Sequence, residues 1–294
     1  MSKILVVGGS GFIGSHVADK LTSENHDVII YDIKDSPYIS KNQEMVTGGI
    51  LDLDKIKSII NNGIDYVYNF ASIADIKEAN KNNDSVIDVN IKGHLKLMEA
   101  CFENHVKRYI YSSSLYVYSQ YGSMYKASKQ SAELYIEAFN EINELDFTIV
   151  RCGTVYGPRA QDWNGFYKLI KKIIQDKQLV YEGSEDEVRS FIHVEDVAEL
   201  FVQVLDDKYK NEFVIINGPE KYSGKEFLKL LGEIFEGDLE KSLMKFTEER
   251  RPGHYVVTPY KYFPRKAKQI TKDSFIELGQ GILDLANHIQ DTEN

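Results

Sequence analysis

The chain opens with four consecutive apolar residues, Ile4, Leu5, Val6 and Val7, that stop at a glycine. Short, mostly apolar runs recur at residues 28–31, 66–70, 108–112, 147–151 and 213–216. Runs of this length, with no polar residue at every second position, predict strands covered on both faces. Between them, apolar residues fall three and four apart over 13–22, 52–61, 86–104 and 126–143, which predicts amphipathic helices. Strand and helix in alternation imply right-handed crossovers and a parallel sheet with helices on both faces. The predicted fold class is α/β, a Rossmann-type doubly wound parallel sheet.

The regularity loosens after Tyr156-Gly157-Pro158. Helices are predicted at 162–178 and 225–235, and residues 250–268 hold three of the six prolines among many aromatics. This predicts a smaller, mixed C-terminal lobe. The division runs 1–160 with 191–217 for the sheet domain, and 161–190 with 218–294 for the lobe. Clefts between such a lobe and the carboxyl edge of a parallel sheet are common ligand sites.

Composition narrows the classes. A net charge of -10 argues against a surface built for nucleic acid. No stretch approaches the roughly 20 apolar residues that span a bilayer, and the first residues do not read as a secretory signal. Two cysteines, Cys101 and Cys152, form neither a disulfide framework nor a metal set, and the seven histidines have no metal-ligand spacing. The expectation is a soluble, cytoplasmic protein without a metal. His16 is expected to be exposed on the first helix, and His193 to be structural.

The first strand runs into Gly8-Gly9-Ser10-Gly11-Phe12-Ile13-Gly14 and then a helix. Gly8 permits a tight turn, Gly11 lets the backbone approach a pyrophosphate, and Gly14 lets the helix pack on the strand. The helix start, from Phe12 and Ile13, offers N–H groups to the phosphates. Asp32, at the end of the second strand, stands where a carboxylate accepts from a ribose 2′-hydroxyl and repels a 2′-phosphate. The cofactor expected is NAD; Lys34 nearby pulls against the exclusion of NADP.

Further on, Tyr125 and Lys129 are four apart and share one helix face. A phenol is a poor base at neutral pH, and a neighbouring ammonium favours its phenolate. Tyr125 could then take a proton from a hydroxyl that Ser114 holds, as hydride leaves the same carbon. Alone, the pair could be surface decoration; the serine run 112–114 and the glycine loop give it context.

These motifs, in this order, resemble the extended short-chain dehydrogenase/reductase family in its NAD-dependent nucleotide-sugar epimerase/dehydratase branch. The resemblance covers nearly the whole chain to about Gly253. Besides the residues above, it is carried by Asp52-Leu53, Asn69-Phe70-Ala71-Ser72, Asn90 with Gly93, Arg151 to Pro158, Arg189 to Asp196 and Arg251-Pro252-Gly253. It implies that Asp52 and Leu53 lie beside the adenine, that Ala71 and Ser72 line the cofactor channel, and that Asn90 helps hold the catalytic region. Ser114, Tyr125 and Lys129 would be the catalytic set, with Lys129 also bonding the nicotinamide ribose. Thr154 would contact the substrate. Arg189 and Arg251 would pair with its pyrophosphate, a role suited to the guanidinium fork. The smaller lobe would bind the nucleotide sugar, and the helices at 86–104 and 126–143 would form the four-helix bundle of a homodimer. From the sequence those helices could equally cover the sheet.

The departures are as informative. The family's 4,6-dehydratases place an Asp-Glu pair after the catalytic serine or threonine; this chain has Leu115-Tyr116, so dehydration is not expected. The segment from Ser114 to Tyr125 is short for the family. Residues 260–266 replace the family's usual C-terminal signature and read as a rebuilt nucleotide-binding edge or a solvated basic turn. Three functions stay open. One is an epimerase acting by transient oxidation at sugar C4. Another is a net nucleotide-sugar 4-dehydrogenase or 4-ketoreductase. The last is a non-catalytic NAD-binding protein, which the joint presence of Ser114, Tyr125 and Lys129 argues against.

Overall fold

The computed structural model describes residues 1–176, 179–235, 245–247 and 253–259. The predictions for Arg251 and for 260–266 lie outside the described residues. The strands among the described residues are β1 (Lys3–Val7), β2 (Asp27–Asp32), β3 (Gln43–Thr47), β4 (Tyr66–Asn69), β5 (Arg108–Ser114), β6 (Phe147–Cys152), β7 (Thr154–Tyr156), β8 (Val180–Glu182), β9 (Val188–Arg189), β10 (Phe191–His193), β11 (Glu212–Ile216), β12 (Tyr222–Ser223) and β13 (Lys245–Thr247). The α-helices are α1 (Phe12–Ser23), α2 (Leu53–Ile60), α3 (Ile76–Lys81), α4 (Asn83–Val86), α5 (His94–Glu103), α6 (Ser123–Asn143), α7 (Gly165–Asp176), α8 (Val194–Gln203) and α9 (Gly224–Ile234).

Seven strands form one parallel sheet in the order β11-β6-β5-β4-β1-β2-β3. The chain runs outward from β1 through β2 to β3, then crosses back to β4 on the other side. The reversal between β1 and β4 is the switch point where doubly wound sheets bind ligands, beyond the carboxyl ends of the strands. Every prediction for a sheet strand falls on one observed, with ends shifted by two residues at most.

Both faces are covered, which is why the strand residues are apolar at consecutive positions. On one face, Leu5, Val7, Ile29, Val67, Tyr109 and Ile149 pack against Ile56 and Ile60 of α2, Leu97 and Cys101 of α5, and Ile136 of α6. On the other, Ile4, Val6, Val28, Ile110 and Val150 pack against Val17 and Leu21 of α1 and Val197 and Phe201 of α8. A third cluster joins Leu169 and Ile173 of α7 to Phe227, Leu228 and Leu231 of α9. Among the described residues, no helix is long and apolar enough to cross a membrane.

Two expectations need correction. His16 is buried rather than exposed: α1 turns it inward, where its Nε2 lies 3.1 Å from the Pro158 carbonyl. Residues 86–104 are not one regular helix, because Ile87–Gly93 takes a π-helical turn between α4 and α5. The apolar spacing on either side still reads as helical, so the extra residue of a π turn left no mark in the pattern.

Candidate active site

The glycine loop leaves β1 at its carboxyl end. Gly8 has φ +78°, and a Cβ there would sit 2.5 Å from the Ala71 backbone nitrogen. A Cβ on Gly14 would sit 2.3 Å from the Gly8 carbonyl oxygen. The loop therefore folds against both the β4 turn and the start of α1, and only hydrogen fits at those points. Gly11 caps α1 without a side chain, and no acidic residue stands in the first turn. Phe12, Ile13 and Gly14 thus present a helix start suited to a phosphate's negative charge.

Asp32 ends β2 and accepts from the Ser10 N–H at 3.0 Å and from the Lys34 N–H at 3.4 Å. The carboxylate is so held beside the glycine loop. Asp52 caps α2 by accepting from the Lys55 N–H at 3.4 Å, and Leu53 begins that helix, half-buried. After β4, the Ala71 N–H donates to Asn69 Oδ1 at 3.0 Å. The Ser72 hydroxyl is buried with no hydrogen-bond partner among the described residues. A buried hydroxyl without a partner costs free energy unless something else satisfies it. An uncapped helix start, a carboxylate at the second strand end and an orphaned hydroxyl fit an adenine dinucleotide.

The second half of the site sits on β5, β6 and α6. Ser114 is the last residue of β5, opposite Cys152 of β6. Its hydroxyl accepts from the Tyr116 N–H at 3.3 Å, opening a 3-10 turn, Leu115–Tyr118. Gly122 (φ +114°) and Ser123 (φ 45°) then reverse the chain in two left-handed steps and launch α6. This tight reversal spans the short segment from Ser114 to Tyr125. Burial pushes the Tyr125 phenol up to about 12, and hydrogen bonding with the Ser114 hydroxyl works against the rise. Lys129, one turn on, is buried; it donates to the Ser112 carbonyl at 2.8 Å, and its Nζ lies 4.7 Å from the Tyr111 ring centre and 5.8 Å from that of Tyr125. Burial brings its ammonium down to about 8.

Asn90 sits on the π turn. Its Oδ1 accepts from the Ile73 N–H at 2.8 Å, and its Nδ2 donates to the Ile73 carbonyl and to Ser128 Oγ. Ser128 donates in turn to the Tyr125 carbonyl. One amide thereby joins the turn at Ala71–Ser72 to the helix that carries Tyr125 and Lys129.

Behind this, Asn69 Nδ2 donates to the Tyr109 hydroxyl at 2.7 Å, which lies 2.8 Å from His94 Nδ1. His94 Nε2 lies 3.3 Å from the Ala132 carbonyl, which can only accept. Nε2 therefore carries the proton and Nδ1 takes the tyrosine's. Burial pushes His94 down to about 3, so it stays neutral.

Thr154 meets Tyr255: their hydroxyls are 3.2 Å apart. Arg189 is buried, donating from Nε and Nη2 to Glu187 at 3.3 and 3.1 Å, and from Nη2 to the Tyr255 carbonyl at 2.9 Å. A substrate phosphate would share this guanidinium with Glu187. The structure also shows contacts that the sequence did not reveal. The Tyr116 hydroxyl lies 2.6 Å from His254 Nδ1, and its ring lies 4.7 Å from that of Tyr255 and 6.0 Å from that of Tyr125. No local signal could have paired Tyr116 with His254, because 138 residues separate them. Glu133 was findable, because it continues the spacing of four from Tyr125 and Lys129.

Comparison with known proteins fits this geometry. The model of the NAD dependent epimerase/dehydratase family matches residues 4–217. A Methanocaldococcus jannaschii protein named "Putative UDP-glucose 4-epimerase" is 29% identical over 249 residues, covering 78% of this chain and 81% of that protein. The structure of UDP-glucose 4-epimerase from Thermotoga maritima with UDP-glucose superposes with a TM-score of 0.78 at 26% identity, covering 88% of this chain and 90% of that one. UDP-glucuronic acid 4-epimerase from Bacillus cereus, in complex with UDP-glucuronic acid and NAD, gives 0.78 at 26% identity over 90% and 95%.

Proposed function

The chain belongs to the NAD-dependent epimerase/dehydratase family and is an NAD-dependent enzyme of the short-chain dehydrogenase type, and on that premise we propose that it epimerises a nucleotide-diphosphate sugar, a UDP-sugar first among them, by transient oxidation at sugar C4. The observation that carries this reading is the meeting of Ser114, Tyr125 and Lys129 at the carboxyl edge of the sheet that also bears the glycine loop.

In this reading Ser114 holds the sugar hydroxyl and Tyr125 removes its proton. A phenol with its proton held so high needs nearby positive charge to become phenolate, and Lys129 supplies part of it. NAD, held by the glycine loop, Asp32 and Lys129, would supply the reversible hydride chemistry at that carbon. With the 4-keto sugar turned over, Tyr125 would give its proton back for reduction on the opposite face. Lys129 also bonds the cofactor ribose, and Asn90 keeps the Ala71–Ser72 turn and α6 in register. Asp32 bonds the adenosine ribose, with Asp52 and Leu53 beside the adenine. Thr154, Arg189 and Arg251 serve the substrate, which occupies the lobe of 161–190 with 218–294.

Elimination of water is outside this reading. The two residues after Ser114 carry no carboxylate: Leu115 is fully buried in the core, and the Tyr116 hydroxyl is engaged by His254. The enzyme is read as a cytoplasmic homodimer. Two buried, unpaired thiols support the compartment, and exposed Phe102 of α5 with Leu134 and Ile142 of α6 support the bundle.

The test is incubation with UDP-, GDP- and CDP-sugars, followed by product mass and absorbance at the NADH band. Unchanged mass with a new isomer is expected, and Tyr125→Phe should abolish it while NAD still binds. A two-unit mass change would make the enzyme a net oxidoreductase instead. A product lighter by one water would make it a dehydratase.

A further inference from the structure

Tyr125, Lys129 and Glu133 recur at intervals of four on α6, so a third ionisable group lies on the face that carries the proposed chemistry. Glu133 is buried, which a lone carboxylate would resist. It is not alone. Its Oε1 accepts from Arg151 Nε at 3.0 Å and its Oε2 from Arg151 Nη2 at 2.7 Å, a two-pronged pair. Its Oε1 also accepts from the Ser113 hydroxyl, between Ser112, whose carbonyl takes the Lys129 ammonium, and Ser114. Arg151 donates from Nη1 to the Tyr118 hydroxyl of the 3-10 turn, and its guanidinium lies 4.7 and 4.6 Å from the Tyr118 and Phe213 ring centres. One carboxylate thus ties together β5, β6, α6 and the turn after Ser114.

We infer that the buried Glu133–Arg151 pair is a positioning element for Tyr125 and Lys129, with Glu133 as the negative charge that holds the Lys129 ammonium in its site. The inference rests on the reading of Tyr125 and Lys129 given above. Among the described residues, the groups facing Lys129 are few. Its own helix offers Tyr125 and Glu133, β5 offers Tyr111 and the Ser112 carbonyl, β6 offers Cys152, and α5 offers His94. His94 is neutral, and burial pushes the Cys152 thiol up to about 12. At neutral pH, Glu133 is then the anion among these neighbours. Burial drives the ammonium to shed its proton; a Cys152 thiolate and Glu133 would both oppose it, and with the thiol pushed so high Glu133 is the one charged at neutral pH.

The two halves of the pair make opposite predictions. Glu133→Gln removes the anion and leaves Arg151 uncompensated, so Lys129 should titrate lower by about one pH unit. Arg151→Met leaves Glu133 uncompensated, so Lys129 should titrate higher. The neutral double variant Glu133→Gln/Arg151→Met should return toward the original value. Lysine labelled with carbon-13 at Cε, in the full chain with NAD bound, reports this directly, and the Lys129→Met spectrum identifies the signal. If Arg151→Met does not fold, Glu133→Gln against the double variant still decides the sign. An unmoved Lys129 midpoint in folded Glu133→Gln overturns the inference. The titration needs no substrate. Absence of turnover on every nucleotide sugar would defeat the functional reading alone, without touching this result. Where turnover is found, the pH limbs of kcat should move to lower pH in Glu133→Gln, whereas a purely architectural role would lower kcat and leave the limbs in place.

Discussion

Asp32 has one task in the structure and a second in the proposed reading. Its carboxylate bonds the Ser10 N–H inside the glycine loop, and we propose that it also accepts from a ribose hydroxyl. Asp32→Ala should therefore narrow the preference for NAD over NADP and also weaken NAD binding, by about tenfold for one charge-assisted bond. Titration of both cofactors by fluorescence checks this; equal affinities in the unmodified protein would refute the role. His94 should contribute to acid stability. The folded state holds it neutral down to about 3, whereas an exposed histidine takes a proton below its ordinary 6.5. Between those values the unfolded state binds the extra proton, so stability present above 6.5 is lost as pH falls toward 3, by about 1.4 kcal/mol per pH unit from this group. His94→Gln should flatten that part of the curve of Tm against pH. The candidate chemistry was legible where it is local: Tyr125 with Lys129, Ser114 and the glycine loop each form a short motif. His254 and Tyr255 were not, because their partners lie in distant segments.

Among elements, strands buried on both faces were the easiest to read, since burial on two sides forces consecutive apolar residues. β3 was missed because it lies at the sheet edge, with Gln43, Glu44 and Thr47 flanking Met45 and Val46. The same logic of close approach makes the first turn of α1 intolerant. Gly14→Ala would push a methyl group into the Gly8 carbonyl, which is backbone and cannot swing aside. Stability should fall by about 1–3 kcal/mol, in the range for overpacking, and NAD affinity should fall with it. Denaturant unfolding with and without NAD measures both. A variant as stable as the parent would mean that the turn is looser than its geometry implies.

At the scale of the molecule, α5 and α6 use one flank for the sheet and leave another outward. Leu97, Cys101 and Ile136 are core residues, whereas Leu134 and Ile142 are 67% and 77% exposed. Exposed apolar side chains gathered on two long neighbours are what a partner subunit would cover. Light scattering should give twice the chain mass, and Leu134→Glu/Ile142→Glu should halve it without unfolding the chain. A monomer in the unmodified protein would end that reading. Residues 253–259 belong to the same scale. They return to meet Val188, Arg189, Thr154 and Tyr116, segments made far earlier. On the ribosome, where the chain emerges from its N-terminus, the sheet with its glycine loop and the Tyr125 helix is complete before this piece exists. A nascent chain can thus acquire its dinucleotide half first, and His254 and Tyr255 join Tyr116 beside Tyr125 only once residues 253–259 have been made.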